Sequence, residues 1–190
     1  MLPSMASPRG SERRLSVDDW IEAGFALLTE GGPNALRIDK LCERLEVTKG
    51  SFYWHFADMR AYRAALVDAW GNLRDQDRRR FEQMRETDPR ERLRWMVASL
   101  INPSHFALER VMRVWGLTDE AVAASVRASD GRVLRAVHQA FIDYGFEPED
   151  ANLRSAAMFA AGIGLLHTSG MVPDASAETL ERFLEFVLRP

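Results

Sequence analysis

The run Lys49-Gly50-Ser51-Phe52-Tyr53-Trp54-His55-Phe56 gathers the side chains of this sequence best suited to act on a partner. Phe52 and Phe56 stand four apart and share the buried side of a helix. At about 100° per residue this turns Gly50, Ser51 and Trp54 most nearly away from the core and leaves Lys49, Tyr53 and His55 on the flanks. The outer face offers a cation, a glycine that permits close backbone approach, two hydroxyls, an indole and an imidazole, with no carboxylate. Such a face suits an anionic partner whose phosphates need donors and whose base edges need groups of several shapes. The competing reading is an ordinary surface helix with stray aromatics.

No enzymatic constellation accompanies it. The sequence contains no phosphate-cradling G-x-x-x-x-G-K-[ST] loop, no G-x-G-x-x-G after a strand, no G-x-S-x-G elbow and no H-E-x-x-H. His55, His105, His138 and His167 lie far apart without a metal-ligand spacing, so neither a metal nor a cofactor is expected. Cys42 stands alone, which excludes an internal disulfide, and it occupies an apolar helix position where a small buried hydrophobe is the default role.

The elements that position the run are short helices. Ile38, Leu41, Cys42 and Leu45 recur at helical steps, Glu46-Val47-Thr48 interrupts the period, and Thr48 is placed to cap the next helix through its hydroxyl. Upstream, Ser16 with Asp19 forms a capping-box variant, Leu15 can staple to Trp20, and Val17, Trp20, Ile21, Gly24, Leu27 and Leu28 make a stripe that Gly31-Gly32-Pro33 stops. Asp58 is placed to cap a fourth helix carrying Tyr62, Leu66, Ala69, Trp70 and Leu73.

From Val17 to about Leu66 these features resemble the tetracycline-repressor (TetR) family of bacterial transcription regulators, and the run from Lys49 to Phe56 resembles its recognition helix position by position. The resemblance implies a homodimer, a three-helix DNA-binding head and an all-helical ligand-binding body. It also implies a repressor that a small organic molecule releases from a palindromic operator of double-stranded DNA. Carried onto this chain, the DNA-binding residues are Arg37, Thr48, Lys49, Gly50, Ser51, Tyr53, Trp54, His55 and Arg60. Three positions depart from the family pattern: Glu46 replaces a turn glycine, Arg37 replaces a capping Thr or Ser, and Met59 replaces a lysine whose role Arg60 is placed to take.

With 190 residues, 46% hydrophobic and 28% charged, the chain is long enough for real cores and ordinary for a globular protein. Its net charge of −3 does not advertise nucleic acid, so the local distribution decides. Arg9, Arg13, Arg14, Arg37, Lys40, Arg44 and Lys49 cluster in or beside the head, while Asp18, Asp19, Glu22 and Glu30 are expected to face elsewhere. No secretory core and no apolar run of about 20 residues is present, so a cytoplasmic protein without a membrane role is expected.

The expected fold is all-α: a flexible basic arm over 1–14, a helix-turn-helix head over 15–60, and an antiparallel helical bundle over 61–190, about nine helices in all. The charged run from Arg74 to Glu86 reads as a solvated helix end or loop. Helices then start at Asp88-Pro89 and after Asn102-Pro103. A longer helix opens at Thr118 with a possible kink at Ser129-Asp130-Gly131. An alanine- and glycine-rich helix from Pro148 precedes a loop over Met171 to Ala175 and a last helix from about Ala177.

Within that bundle, Trp95, Met96, Phe106, Met112, Trp115, Phe141 and Met158 are candidate walls of an effector pocket, with Asn102, His105 and His138 at its rim. The expected ligand is mostly apolar, neutral or weakly charged. Ala156, Ala160, Gly164, His167, Phe183 and Val187 are the candidate dimer interface, since small side chains let helix axes approach closely. A small-molecule-binding or interaction bundle with no DNA role is the alternative, and it has no use for the face at 49–55.

Overall fold

The computed structural model describes residues 15–84, 88–100, 103–167 and 177–189. The expected basic arm, Asn102 and the 171–175 loop lie outside them. Among the described residues the chain forms nine α-helices and no strand: α1 (Val17–Gly31), α2 (Ile38–Leu45), α3 (Lys49–His55), α4 (Met59–Gln83), α5 (Pro89–Leu100), α6 (Pro103–Gly116), α7 (Glu120–Tyr144), α8 (Pro148–His167) and α9 (Ala177–Leu188). No described helix is long and apolar enough to cross a membrane.

The head begins at the capping box. The Ser16 N–H donates to the Asp19 carboxylate at 2.7 Å, and the Asp19 N–H donates back to Ser16 Oγ at 3.2 Å. Two donors that the helix itself cannot satisfy are thereby satisfied. α1 then buries Trp20, Ile21, Ala23, Gly24, Leu27 and Leu28. Gly32, at φ 69°, ends it by donating to the Leu28 carbonyl at 2.8 Å. α2 starts at Arg37 without a side-chain cap, as a donor-only guanidinium requires.

Thr48 does occupy the cap position of α3, but its side chain makes no capping bond. The Ser51 N–H is instead taken by the Thr48 backbone carbonyl at 3.0 Å, which leaves the hydroxyl uncommitted. Asp58 acts as expected, accepting the Ala61 N–H at 2.7 Å ahead of α4.

An aromatic pile unites these helices. The Trp20 ring lies 5.5 Å from Phe52, edge to face, and 6.4 Å from Phe56, while Tyr62 of α4 lies 5.6 Å from Phe52 and 4.9 Å from Phe56. Tyr62 donates its hydroxyl to the Trp20 carbonyl at 2.8 Å, and burial pushes that hydroxyl's pKa up. A Cβ at Gly24 would fall 2.1 Å from Tyr62 Oη, so only glycine admits this contact.

The head core does not stop at the head. Leu66 and Trp70 of α4 continue it into Met112 and Trp115 of α6 and Val122 and Val126 of α7. A second core joins α5, the distal half of α7, α8 and α9 through Leu93, Met96, Phe141, Met158, Leu184 and Val187. Around it, buried Arg92 pairs with Asp143 at 2.6 Å, and Glu181 of α9 receives both Arg90 and Arg94 of α5.

Three expectations change. α7 is capped by Asp119, one residue later than Thr118, because its carboxylate accepts the Ala121 and Val122 N–H groups. α7 also runs unbroken through Ser129-Asp130-Gly131, with Ser129 buried and Asp130 paired to Arg113. The charged run after Leu73 is a continuation of α4 to Gln83 rather than simply a solvated end. Arg74 lies against Glu109 of α6 at 3.6 Å and Asp75 pairs with Arg132 of α7 at 2.9 Å. The Phe81 side chain lies outside the described set.

Glu46, in the turn between α2 and α3, adopts φ 55° and ψ 40°. It is the non-glycine residue with positive φ among the described residues. The left-handed conformation costs a residue with a Cβ about 1–2 kcal/mol, partly offset by glycine's larger unfolded-state entropy. Glu46→Gly should therefore stabilise the fold by about 0.5–1 kcal/mol, seen as a higher urea midpoint with an unchanged slope.

Candidate nucleic-acid interface

α3 is anchored on its inner side and open on its outer side. Phe52 is fully buried, whereas Trp54 is 65% and Tyr53 56% exposed. Large aromatics left this open on a short helix are not part of its packing stripe. Lys49 and Gly50 are exposed, and Ser51 and His55 are half-buried. His55 is steadied between two indoles, its ring 4.8 Å from Trp54 and 6.1 Å from Trp20. Thr48 is exposed just before the helix, and Arg60 is exposed in the first turn of α4. Met59 instead packs against the head core, so it contributes to packing where a lysine would reach outward.

The cations of α2 are less available than their sequence positions suggest. Arg37 is bound to Asp39, donating from Nε at 3.1 Å and from Nη2 at 2.7 Å. Burial works against the Asp39 charge, yet Arg37 holds its carboxyl below the ordinary value. Lys40 pairs with Glu43 at 2.8 Å. Arg44 grips Glu30 of α1 through two bonds of 2.9 and 2.5 Å, which corrects the expectation that Glu30 faces elsewhere. The packing of α2 across α1 brings the two together. These pairs are exposed and individually weak, so a phosphate can displace the carboxylate at small cost. Lys49 carries no ion pair among the described residues, and no acid lies on its helix. Burial pushes the nearby Cys42 thiol up against the pull of Lys49, which suits a packing role rather than a reactive one.

The body residues distribute differently. Met112 and Trp115 are buried in the core shared with the head, whereas Met96, Phe141 and Met158 lie in the second core and Trp95 packs against it. His138 is half-buried on α7. The His105 side chain, like Asn102, lies outside the described residues. Among the described wall and rim residues, Phe106 alone borders a cleft of about 40 Å³ between α4, α6, α7 and α8. That cleft is also lined by Arg74, Glu109, Arg113 and Asp130, which the sequence reading did not single out. A signal existed: Glu109 and Arg113 stand at i and i+4 on α6, within reach of one another.

On α8, Ala156, Ala160, Gly164 and His167 are all exposed on one side, with Leu153 70% exposed beside them. Val187 is buried and Phe183 partly buried within the chain's own second core. Phe186, 68% exposed, is the large apolar group that α9 offers outward. It stands off the stripe of Phe183, Leu184 and Val187, which is why periodicity passed it over.

Gly50 has open space around it. A Cβ there would meet only Thr48 Oγ1, at an ordinary 3.6 Å, and its φ is not positive. Nothing among the described residues requires a glycine here, and glycine in a helix is less stable than alanine. Gly50→Ala should raise stability by about 0.5–1 kcal/mol and at the same time weaken duplex DNA binding. Chemical denaturation and a fluorescence-anisotropy titration read the two signs separately; stabilisation with undiminished binding would show that no partner approaches closely at this position.

Residues 21–66 match the family model described as bacterial regulatory proteins, tetR family. The class G tetracycline repressor protein of Vibrio anguillarum is 47% identical over 49 residues, covering 26% of this chain and 23% of that one. The match thus spans about a quarter of that relative's length. Likeness over most of the chain is one of fold. A TetR transcription regulator from Haloarcula marismortui aligns with a TM-score of 0.68 at 18% identity, covering 90% of this chain and 93% of its own. A transcriptional regulator from Saccharomonospora viridis, solved in complex with choline, aligns with a TM-score of 0.69 at 15% identity and the same coverage.

Proposed function

We propose that this chain, which belongs to the tetR family of bacterial regulatory proteins, is a DNA-binding transcription regulator whose hold on its operator is set by a small organic effector. The observation that carries the reading is the outer face of α3, where exposed Trp54, Tyr53, Lys49 and Gly50 stand on a buried Phe52 and Phe56. In this assignment Arg37, Lys49, Tyr53 and His55, with Arg60 and Thr48 beside them, mostly grip phosphates. Gly50, Ser51 and Trp54 stand closest to base edges and thymine methyls.

The regulator acts as a homodimer. The exposed small-residue side of α8, flanked by Leu153 and joined by Phe186 of α9, supports this as the contact surface. Two recognition helices then enter successive major grooves, so half-sites of a rough palindrome lie about 34–36 Å apart or a multiple of that. Repression, with release on effector binding, is the regulatory sense proposed. That a neighbour of the same fold was solved in complex with choline supports a small-molecule-binding role.

Lys49→Ala should weaken binding to all duplexes alike and flatten the plot of log K against log salt by about one unit. An unchanged slope removes Lys49 from the phosphate contacts. Gly164→Arg addresses assembly. Among the described residues a Cβ at Gly164 meets nothing within 4 Å, so they leave room for the substitution. Desolvating an arginine in a close helix contact should instead make the protein monomeric at micromolar concentration by analytical ultracentrifugation. A folded variant that stays dimeric locates the interface elsewhere.

A further inference from the structure

The cleft between α4, α6, α7 and α8 has an unusual wall. On one side Arg113 donates to Asp130 at 2.9 and 2.6 Å and to Glu109 at 2.8 Å, and Arg74 reaches Glu109 at 3.6 Å. Glu109 and Arg113 are almost wholly enclosed, with side chains 10% and 14% exposed. Burial alone would lower the Arg113 guanidinium, yet Asp130 and Glu109 hold it above its ordinary value. The rest of the lining is apolar: Phe106, Val133, Phe159, Ile163 and Leu166.

Two features of this wall select a chemistry. The two guanidiniums and two carboxylates cancel, so an added ion of either sign would leave net charge in a poorly solvated space. A cation would also have to win Asp130 or Glu109 from bonds of 2.6–2.9 Å. Meanwhile the Nε–H of Arg113 is buried without an acceptor. An orphaned donor beside an apolar wall asks for one hydrogen-bond acceptor on an otherwise apolar molecule.

Resting on the reading of the body as an effector domain, we infer that this cleft takes a neutral, mainly apolar organic molecule with a carbonyl-type acceptor, a ketone, ester or amide, received by Arg113 Nε. At about 40 Å³ the cleft is far smaller than the roughly 300 Å³ or more of a usual organic-ligand pocket. Occupancy must therefore part its walls. Arg74 stands one turn beyond Trp70 on α4, and Glu109 and Arg113 alternate with Met112 and Trp115 on α6, so two of those walls also build the head core. Opening the cleft thus repositions helices on which the head rests.

The test uses the full chain and matched probes: 2-heptanone, methyl hexanoate and acetophenone as neutral acceptors, heptanoate and heptylamine as ions of similar size. Melting temperature and tryptophan fluorescence report binding, and anisotropy with duplex DNA reports coupling. The neutral acceptors should raise the melting temperature, bind about tenfold tighter than either ion, and reduce DNA affinity. Arg113→Lys keeps a cation for Asp130 and Glu109 but deletes Nε, so it should fold and lose about tenfold in neutral-acceptor affinity. Equal or stronger binding of heptanoate or heptylamine overturns the inference, as does a panel that shifts nothing, or an Arg113→Lys protein with undiminished affinity. Binding of the unliganded protein to duplex DNA is measured first. If it holds and the panel fails, the ligand class alone falls; if it is absent, the regulator reading falls whatever the cleft binds.

Discussion

Trp20 holds two parts of the molecule at once. Its backbone carbonyl receives the Tyr62 hydroxyl of α4, and its ring abuts Phe52, His55 and Phe56, on α3 or immediately after it. The presenting helix and the helix that leads to the body are therefore referred to one residue of α1. The hydrogen bond alone contributes about 1 kcal/mol, but leaving the buried Tyr62 hydroxyl unsatisfied would cost more. The contact also requires the absence of a side chain at Gly24, where any Cβ would collide with Tyr62 and with Leu66. The indole Nε1 of Trp20 is buried without an acceptor, so packing, not a second polar tie, orients the ring. A rigid base under α3 lets its outer aromatics stand in solvent without collapsing inward.

The electrostatics of the head follow from this geometry. A protein of net charge −3 presents a DNA-compatible face by keeping carboxylates off α3 and pairing the cations of α2 with acids on α1 or α2. Exposed pairs of this kind contribute little to folding and are screened by salt. Their use is different: Asp39 fixes where the Arg37 guanidinium lies before a partner arrives, at the cost of one carboxylate to be displaced. Lys49 has no ion pair among the described residues, so it has no such carboxylate to exchange. The distinction between held and free cations arises from proximity in three dimensions.

That distinction marks where sequence reading reached and where it stopped. Local signals were legible because they are short-range. The Ser16–Asp19 box, the Gly32 stop, the Asp58 cap and the aromatic spacing of α3 are all settled within one or two helical turns. Phe52 and Phe56 alone pointed to the exposure of Gly50 and Trp54, but not to a half-buried Ser51 and an exposed Tyr53. Contacts between distant segments were not legible: Glu30 meets Arg44 only because α2 crosses α1, and Asp130 straightens into a bond with Arg113 where its neighbours Ser129 and Gly131 suggested a kink. Thr48 failed as a side-chain cap for a subtler reason, since its own carbonyl had already taken the donor. In the body, each large apolar residue fits helical spacing whether it lines a core or a cavity. Periodicity could not separate Met112 and Trp115, in the head-facing core, from Phe106 at the cleft.

The division of cores, finally, constrains how any signal passes between body and head. Had the head been attached through α4 alone, a ligand could act on it only by tilting that helix, about 37 Å long. Instead α6 contributes Met112 and Trp115, and α7 contributes Val122 and Val126, to the same core as Trp20 and Phe52. α1 packs on both α4 and α6, with α7 behind them, so the head's seat changes when those helices move relative to one another. Close-packed cores resist gradual deformation and shift between discrete packings. The polar network of Arg74, Glu109, Arg113 and Asp130 lies where α4, α6 and α7 meet, just below that seat. Its weakest geometric link, the 3.6 Å contact between Arg74 and Glu109, joins α4 to α6. A ligand binding at this junction biases the seat only by the difference in its affinity for the two packings. Tight binding to both would leave the head unmoved, so the network's value lies in making those packings unequal in what they offer a ligand.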